Sequence, residues 1–329
     1  MADSALKGDL DEIRGLMTAL PSQSEAAAGS WRARAASLIR PRMGLGALEA
    51  FGPWLAATRG TENPKLDRPR LALFAAAHGV GEAVPGGLGA GAVAEEIARI
   101  NAGVHPTSIL CAQADAELRL YELALEAPCG DASTGPAMSE DEAARAMAYG
   151  MMAVEEGVDL IVLADCSAGA EASWGAQAIT FLGRRTGLDS WLDGASERAL
   201  ALKAAERVED LPLDPFALLA QLGGYDSAAM AGLLIAARMG RVPVLLDGTG
   251  PLLAALALDR ARAGSMAHCA LAQKPRTALE RDIAAELGFD TAVLPVGDIA
   301  LGRGGAGALA VPLLQALVQV QADTASFGG

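Results

Sequence analysis

Aromatic residues are scarce in this sequence. Phe, Tyr and Trp make up 4% of its 329 residues, whereas hydrophobic residues as a whole make up 52%. A chain of this length can bury a large core, but here the core must be built from Ala, Leu, Val, Ile and Met. We therefore expect one large domain, with a smaller satellite at most.

Positive charge is also in short supply. The chain has 26 Lys and Arg against 40 Asp and Glu, which gives a net charge of −14. Proteins that bind a nucleic-acid backbone or an anionic membrane surface need a surplus of Lys and Arg, so we expect neither partner. The opening stretch MADSALKGDLDEIRGLM lacks the pattern of a leader, and we expect no later uncharged run to be long enough to span a bilayer. Together these features predict a cytoplasmic protein.

Cysteine and histidine are too few and too scattered for a metal or disulfide framework. No CxxC pair occurs in the sequence. Besides the cysteines, only three histidines could serve as ligands of a Cys/His metal site. We expect buried, free thiols, and neither a metal nor a cofactor. The residues concerned are Cys111, Cys129, Cys166, Cys269, His78, His105 and His268.

Six short apolar runs alternate with longer amphipathic segments after Pro69, whereas the first sixty or so residues have helical periodicity. Strands that are apolar throughout and separated by helices are typical of a parallel sheet covered on both faces. The sequence therefore predicts a doubly wound α/β domain with a mostly parallel sheet in a three-layer αβα arrangement. The predicted strands lie in residues 71–77, 117–125, 159–165, 242–247, 265–272 and 291–297.

Ligands of such sheets bind beyond the carboxyl ends of the strands, which makes the residues after each run candidates for a site. His78 precedes Gly79 after the first run, where it either contacts a ligand or bonds the following loop. Asp247 ends the fourth run before Gly248, and it is either a helix N-cap or a ligand contact.

The third run continues through Asp165 and Ser167 to Gly169 and Glu171 ahead of a helix. Small residues before a helix are what a phosphate-binding loop requires. Glu171, however, would repel a phosphate. The pattern alone is therefore a weak indication of a phosphate site.

The stretch LGRGGAGALAVPLL, residues 301–314, places a cation at the start of a predicted helix. A helix N-terminus repels a cation unless an anion lies between them. Arg303, with Gly302, Gly304 and Gly305 around it, is therefore expected to attract an anion, to turn to solvent, or to form an internal ion pair. The carboxylates considered for that pair are Glu49, Asp165 and Glu171.

Several collinear segments carry a resemblance to a known family. They are MGLGALEAFGPWLAATRGT, DRPRLALFAAAHGV, TGPAMSEDEAARAMAYG, GVDLIVLADCSAGA, DPFALLAQLGGYDSAAMAGLLIAARMGRVPVLLDG, LGRGGAGALAVPLLQA and the closing TASF. Over roughly residues 38–327 they resemble the nicotinate-nucleotide:dimethylbenzimidazole phosphoribosyltransferases. The resemblance implies transfer of a phosphoribosyl group from nicotinate mononucleotide to a benzimidazole, for the lower ligand of cobalamin. It also implies a homodimer, with a small helical domain formed by residues 1–68 and 306–329 beside a core of residues 69–305.

The resemblance also implies a general-base glutamate, and its position is taken by Arg303. A guanidinium cannot accept a proton at working pH, so the family mechanism is interrupted at this position. The implied base slot comprises Leu45, Gly46, Glu49, His78, Gly79, Leu88 and Glu95. The implied substrate and phosphate contacts are Ser167, Gly169, Glu171, Lys203, Asp247, Gly248, His268, Gly302, Gly304 and Gly305.

Two functional interpretations follow. In the first, the protein is a homologue with lost or weakened catalysis that acts as a ligand-binding protein or as a partner subunit, paired with itself or with an intact homologue. In the second, it is an active base phosphoribosyltransferase that uses Asp165 or Glu171 as a substitute base or accepts a different base. In both, the expected ligand is a nucleotide or an aromatic base.

Overall fold

The computed structural model describes residues 9–41, 43–86 and 89–327. Its centre is a sheet of six strands in the order β2-β1-β3-β4-β5-β6, and each neighbouring pair is parallel. Each of the six predicted runs contains or overlaps one strand, which confirms the predicted parallel sheet. The strands are β1 (Pro69–Ala77), β2 (Glu117–Glu122), β3 (Leu160–Ala168), β4 (Val244–Leu246), β5 (Cys269–Gln273) and β6 (Ala292–Leu294).

Helices precede the sheet and connect its strands. Ser139 forms a capping box with Glu142, as its spacing predicts: each side chain accepts a hydrogen bond from the other residue's backbone N–H. The helices are α1 (Leu10–Thr18), α2 (Glu25–Ser37), α3 (Phe51–Arg59), α4 (Gly79–Glu82), α5 (Ala90–Asn101), α6 (Pro106–Gln113), α7 (Glu140–Met151), α8 (Glu171–Leu182), α9 (Ala195–Arg207), α10 (Pro215–Leu222), α11 (Tyr225–Met239), α12 (Thr249–Ala261), α13 (Ala278–Glu286) and α14 (Gly305–Asp323).

Each face of the sheet is covered by its own helices, which gives the predicted three layers. Successive strand residues point to opposite faces, so Leu71 and Leu73 of β1 join one buried cluster while Ala72 and Phe74 join the other. The Leu71 face packs against α2, α3, α5, α6 and α14. The Phe74 face packs against α1 and α7 to α13.

Helix α14 lies directly on the sheet. A Cβ at Gly307 would be 2.2 Å from Cγ1 of Val162 in β3, so only glycine allows this approach. The expectation that no run is long and apolar enough for a membrane is wrong for this helix, whose mean hydropathy is 1.3 over 18 residues. Half of that window is buried within the protein, because the apolar side chains serve the core.

Helix α2 and the residue that follows it contact the C-terminal part of the described chain. Nε of Arg34 in α2 donates to the carbonyl of Gln321 at 2.9 Å, and the Gln321 side chain donates to the carbonyl of Trp31 at 3.0 Å. A short antiparallel bridge joins Leu38 to Ser326. The division of the chain at residues 68 and 305 stays a prediction.

All four cysteines are buried and free, as expected. Burial raises the pKa of the Cys111 thiol to about 12 and the pKa values of Cys129 and Cys166 to about 11. They are therefore core residues rather than nucleophiles in this fold.

Candidate functional site

A cavity of about 210 Å³ opens where β3, β4 and β5 end, and we call it the strand-end cavity. The chain exits predicted after the third, fourth and fifth runs meet here, whereas His78 after the first run is not among the lining residues. The wall carries acidic and basic side chains together. The lining residues are Asp165, Trp174, Leu246, Asp247, Gly248, Thr249, Leu252, Leu271, Gln273, Lys274, Pro275, Arg276, Thr277, Glu280, Gly302 and Arg303.

Asp165 is a buried carboxylate in the wall of this cavity, with 7% of its surface exposed. Burial raises its pKa to about 6, and the nearby Asp226 carboxylate acts in the same direction. The positive charge of Arg303 and a hydrogen bond from the backbone N–H of Ser167 oppose the shift but do not cancel it. Asp165 can therefore exchange a proton near neutral pH.

Asp247 caps the helix that follows the arginine. Its Oδ2 accepts a hydrogen bond from the backbone N–H of Gly307 at 2.8 Å, in the first turn of α14. Burial raises the pKa of Asp247 to about 6 although this bond opposes the shift. The helix N-terminus expected to attract an external anion thus already has a carboxylate of the chain against it.

Arg303 lies in a loop of unusual backbone conformation, residues 301–305, which we call the arginine loop. Gly302, Arg303 and Gly304 have φ angles of 65°, 50° and 80°, all in the left-handed region. A Cβ at Gly304 would be 2.6 Å from Cδ1 of Leu71, so the loop is pressed against the sheet. Arg303 is 30% exposed at its side chain and lines the cavity.

The ion-pair partner of Arg303 is Glu96 of α5, at 3.5 Å between Nε and Oε1. The three predicted partners are otherwise placed. Glu49 is paired with Arg40, Glu171 is exposed in the first turn of α8, and the Arg303 charge acts on the pKa of Asp165. The predicted partners came from the third strand exit and the base slot, whereas the paired carboxylate comes from α5.

Glu96 belongs to a cluster of charges that sequence reasoning missed. Its Oε1 is 3.3 Å from Nε2 of His105, and its Oε2 accepts from Nε of Arg99 at 3.1 Å. Burial favours the neutral acid, but Arg99, His105 and Arg303 outweigh burial and lower the pKa of Glu96. Glu95, which the resemblance implied for the base slot, is exposed on the outer face of α5.

His78 is a buried residue of a second polar group rather than a cavity contact. Its Nε2 is 3.0 Å from Oδ1 of Asp226 at the start of α11, and Ser167 donates its hydroxyl to the same carboxylate. Burial disfavours the imidazolium, yet the Asp226 carboxylate raises the pKa of His78, and the His78 charge correspondingly lowers the pKa of Asp226. The His78 side chain therefore bonds to a helix that is distant in the sequence, and not to the following loop, which was one of the two interpretations.

Glycines allow close backbone contacts at the ends of the first and third strands. A Cβ at Gly79 would be 2.3 Å from the carbonyl oxygen of Cys129. Gly169 has a φ of 66°, and a Cβ there would be 2.7 Å from Cα of Gly81. These predicted site glycines therefore have a packing role that requires no ligand.

Two predicted phosphate contacts lie away from the cavity. His268 precedes β5 and so lies at the amino end of the strand, opposite the cavity, where burial lowers its pKa to about 3. Lys203 is exposed on α9, which packs against α8. Neither is brought to the strand-end cavity by this fold.

The predicted base slot is ordered by its own glutamate. Glu49 forms an ion pair with Arg40 and accepts a hydrogen bond from the backbone N–H of Leu45 at 3.1 Å. The pair with Arg40 lowers the pKa of Glu49. Gly46 has a φ of 60° and open space around it, and Leu88 lies outside the described residues.

Metal binding has no structural support in the described ranges 9–41, 43–86 and 89–327, which contain no group of three or more His, Cys, Asp or Glu arranged to hold an ion. The cavity wall carries carboxylates and cationic side chains. It offers two buried acids that titrate near neutral pH and three basic side chains around them.

Comparisons with known proteins agree with the resemblance. The family model DBI_PRT, described as a phosphoribosyltransferase, matches residues 20–329. The nicotinate-nucleotide–dimethylbenzimidazole phosphoribosyltransferase of Methylocella silvestris is 33% identical over 341 residues, covering 99% of this chain and 96% of its own length. That of Cereibacter sphaeroides is 33% identical over 322 residues, covering 96% and 95%.

The fold has a close counterpart among solved structures. The crystal structure of the Thermus thermophilus nicotinate-nucleotide–dimethylbenzimidazole phosphoribosyltransferase superposes with a TM-score of 0.82 at 24% identity, covering 92% of this chain and 97% of that chain. Its likeness supports the doubly wound architecture independently of the sequence matches. The chain belongs to the nicotinate-nucleotide–dimethylbenzimidazole phosphoribosyltransferase family.

Proposed function

We propose that the protein is a divergent member of this family that binds a nucleotide or an aromatic base in the strand-end cavity, with the phosphoribosyl transfer lost or weakened. The observation that carries the proposal is the position of Arg303. Its guanidinium lines the cavity at the place where the resemblance puts the general-base glutamate. A group that is always protonated cannot take a proton from an attacking base.

The acid next to Arg303 is poorly suited to replace the missing general base. Glu96 is the carboxylate paired with Arg303, and its basic neighbours lower its pKa. A carboxylate with a lowered pKa is a weaker proton acceptor than one tuned towards neutrality. Anion binding by the Arg303 guanidinium is the role that its chemistry favours.

The test is formation of the α-ribotide from nicotinate mononucleotide and dimethylbenzimidazole. We expect wild type to be slower than an intact relative by a factor of about 100 to 10,000, the usual contribution of a general base. The double variant Arg303→Glu/Glu96→Gln should gain activity, because it restores an acid in the loop and removes the like charge facing it. Glu96→Gln alone is the control, and wild-type turnover equal to that of the relative would overturn the proposal.

A second candidate function is active phosphoribosyl transfer with Asp165 as the substitute base. The observation that favours it is the pKa of about 6 for Asp165, which suits proton transfer near neutral pH. Under this candidate, Asp165→Asn abolishes α-ribotide formation, and the wild-type rate has an acid limb near pH 6. Activity that survives Asp165→Asn would eliminate it.

We also propose that the protein acts in the cytoplasm as a dimer, with itself or with an intact family member. Family membership supports both statements by analogy. Light scattering of the purified protein, alone and mixed with an intact homologue, tests the assembly. A monomer in both samples would contradict it.

A further inference from the structure

The arginine loop has little freedom of its own. Its three successive left-handed residues are followed by a bond from the Gly305 backbone N–H to the Gly302 carbonyl at 2.8 Å. Gly304 is in tight contact with the sheet, since a Cβ there would meet Leu71. The direction of the Arg303 side chain therefore depends on how the start of α14 is held.

Asp247 is the group that holds the start of α14. It is fixed to the sheet by its backbone N–H, which donates to the Leu163 carbonyl at 3.1 Å. Its side chain then crosses to α14, where Oδ2 accepts from the Gly307 N–H at 2.8 Å in a buried setting. Since one residue is bonded to both β3 and α14, it fixes the helix start relative to the strand ends.

We propose that Asp247 is a positioning residue for Arg303: it anchors the first turn of α14 and so aims the guanidinium into the strand-end cavity. This inference rests on the proposed function, in which Arg303 binds the anionic part of a ligand. It replaces the interpretation of Asp247 as a phosphate contact. A carboxylate repels a phosphate, and its Oδ2 is already bonded to a backbone donor.

The proposal depends on the acceptor oxygen of Asp247 and not on its charge, and two substitutions distinguish these two properties. Asp247→Asn removes the charge but keeps one acceptor oxygen for the Gly307 N–H, so we expect binding within about threefold of wild type. Asp247→Ala removes both and should weaken binding by about tenfold, the factor expected when a hydrogen bond involving a charged group is lost. Asp259→Ala is the matched control, because its Oδ1 accepts from the backbone N–H of Gly264 at 2.8 Å in an exposed turn.

The experiment is calorimetric titration of nicotinate mononucleotide into wild type, these three variants, Arg303→Ala and Asp247→Ala/Arg303→Ala. If Asp247 acts through Arg303, Asp247→Ala weakens binding in the wild-type background and has no further effect once Arg303 is removed. Equal losses in both backgrounds would overturn the inference, as would an Asp247→Asn variant that binds as poorly as Asp247→Ala. Should Asp247→Ala fail to fold, the affinity of Asp247→Asn decides between acceptor and charge.

A ligand-independent measurement separates this inference from the proposed function. Hydrogen exchange of the residue 305–308 amides should be unchanged in Asp247→Asn and faster in Asp247→Ala, with Asp259→Ala like wild type. Unchanged exchange in Asp247→Ala overturns the anchoring role whatever the ligand result. If hydrogen exchange shows the expected anchoring but Arg303→Ala binds nicotinate mononucleotide as tightly as wild type, the proposed function is refuted. The role of Asp247 in aiming a ligand-binding group is then refuted with it.

Discussion

Replacing Asp165 by Asn should stabilise the protein at neutral pH but not in acid. Asp165 has 7% of its surface exposed and a pKa of about 6 in the folded protein, against an ordinary value of 3.8. The folded state therefore binds this proton more tightly than the unfolded chain does. The corresponding stabilisation is complete below about pH 3.8 and is lost as the pH rises through 6.

The magnitude follows from the size of the shift. A difference of about two pKa units corresponds to about 3 kcal/mol of differential interaction, so the ionised carboxylate lowers the free energy of unfolding by roughly that amount above pH 7. Asn has nearly the same shape and does not ionise. The advantage of Asp165→Asn over wild type should therefore grow by about 2.5 kcal/mol between pH 4 and pH 7.5.

Thermal unfolding at a series of pH values measures this growth directly. For a chain of this size it corresponds to a shift of roughly 4 °C in the difference between the two melting temperatures. Comparing two pH values cancels effects that do not depend on pH, such as a weaker bond to the Ser167 N–H. Asp290→Asn, at an exposed position, is the control and should show no such growth. A difference that stays constant, or shrinks as the pH rises, would refute the assignment of a raised pKa to Asp165.

Three further outcomes are expected. Arg303→Ala should raise the pKa of Asp165 above its wild-type value, because the guanidinium holds that pKa down. A carboxyl ¹³C titration measures this pKa. An unchanged value would show that the Arg303 charge does not act on Asp165. Gly304→Ala should lower the free energy of unfolding by at least about 2 kcal/mol. The φ of 80° is strained for alanine, and the new Cβ would be 2.6 Å from Leu71. Chemical denaturation tests this prediction. The thiols of Cys111, Cys129 and Cys166 should resist iodoacetamide at pH 8 in the native protein, because they are buried with pKa values of about 11 to 12, and rapid labelling by mass spectrometry would contradict this.

The strands and layers could be predicted because their signals are local. Each apolar run occupies a few consecutive residues, and its flanking helices specify the parallel arrangement. The same holds for the capping box at Ser139, whose two partners are three residues apart. The meeting of Asp165 and Asp247 also followed, because a doubly wound sheet collects its strand exits at one edge, whereas only the resemblance placed Arg303 in the same site.

The partners of the charged side chains could not be predicted in the same way. Arg303 and Glu96 are far apart in the sequence, and the choice of partner depends on how α5 lies over the sheet. A local signal for Glu96 did exist: it lies three residues after Val93 and four before Ile100, both buried, so it falls on the inner face of α5 while Glu95 does not. No comparable signal links His78 to Asp226, because their contact joins the end of β1 to the start of α11.

Two of the buried acids that line the cavity, Asp165 and Asp247, differ in how far the fold explains their burial. Asp247 is bonded to the first turn of α14, so its burial contributes to holding that helix in place. Asp165 accepts a backbone bond from Ser167, and from its raised pKa we expect it to lower the free energy of unfolding by about 3 kcal/mol when ionised, a large share of the roughly 5–15 kcal/mol typical of a folded protein. A buried carboxylate of this kind, beside an arginine and open to a cavity, is what a binding or catalytic role requires rather than what packing requires. Of the two acids, Asp165 is therefore the one to be examined first in contact with a ligand.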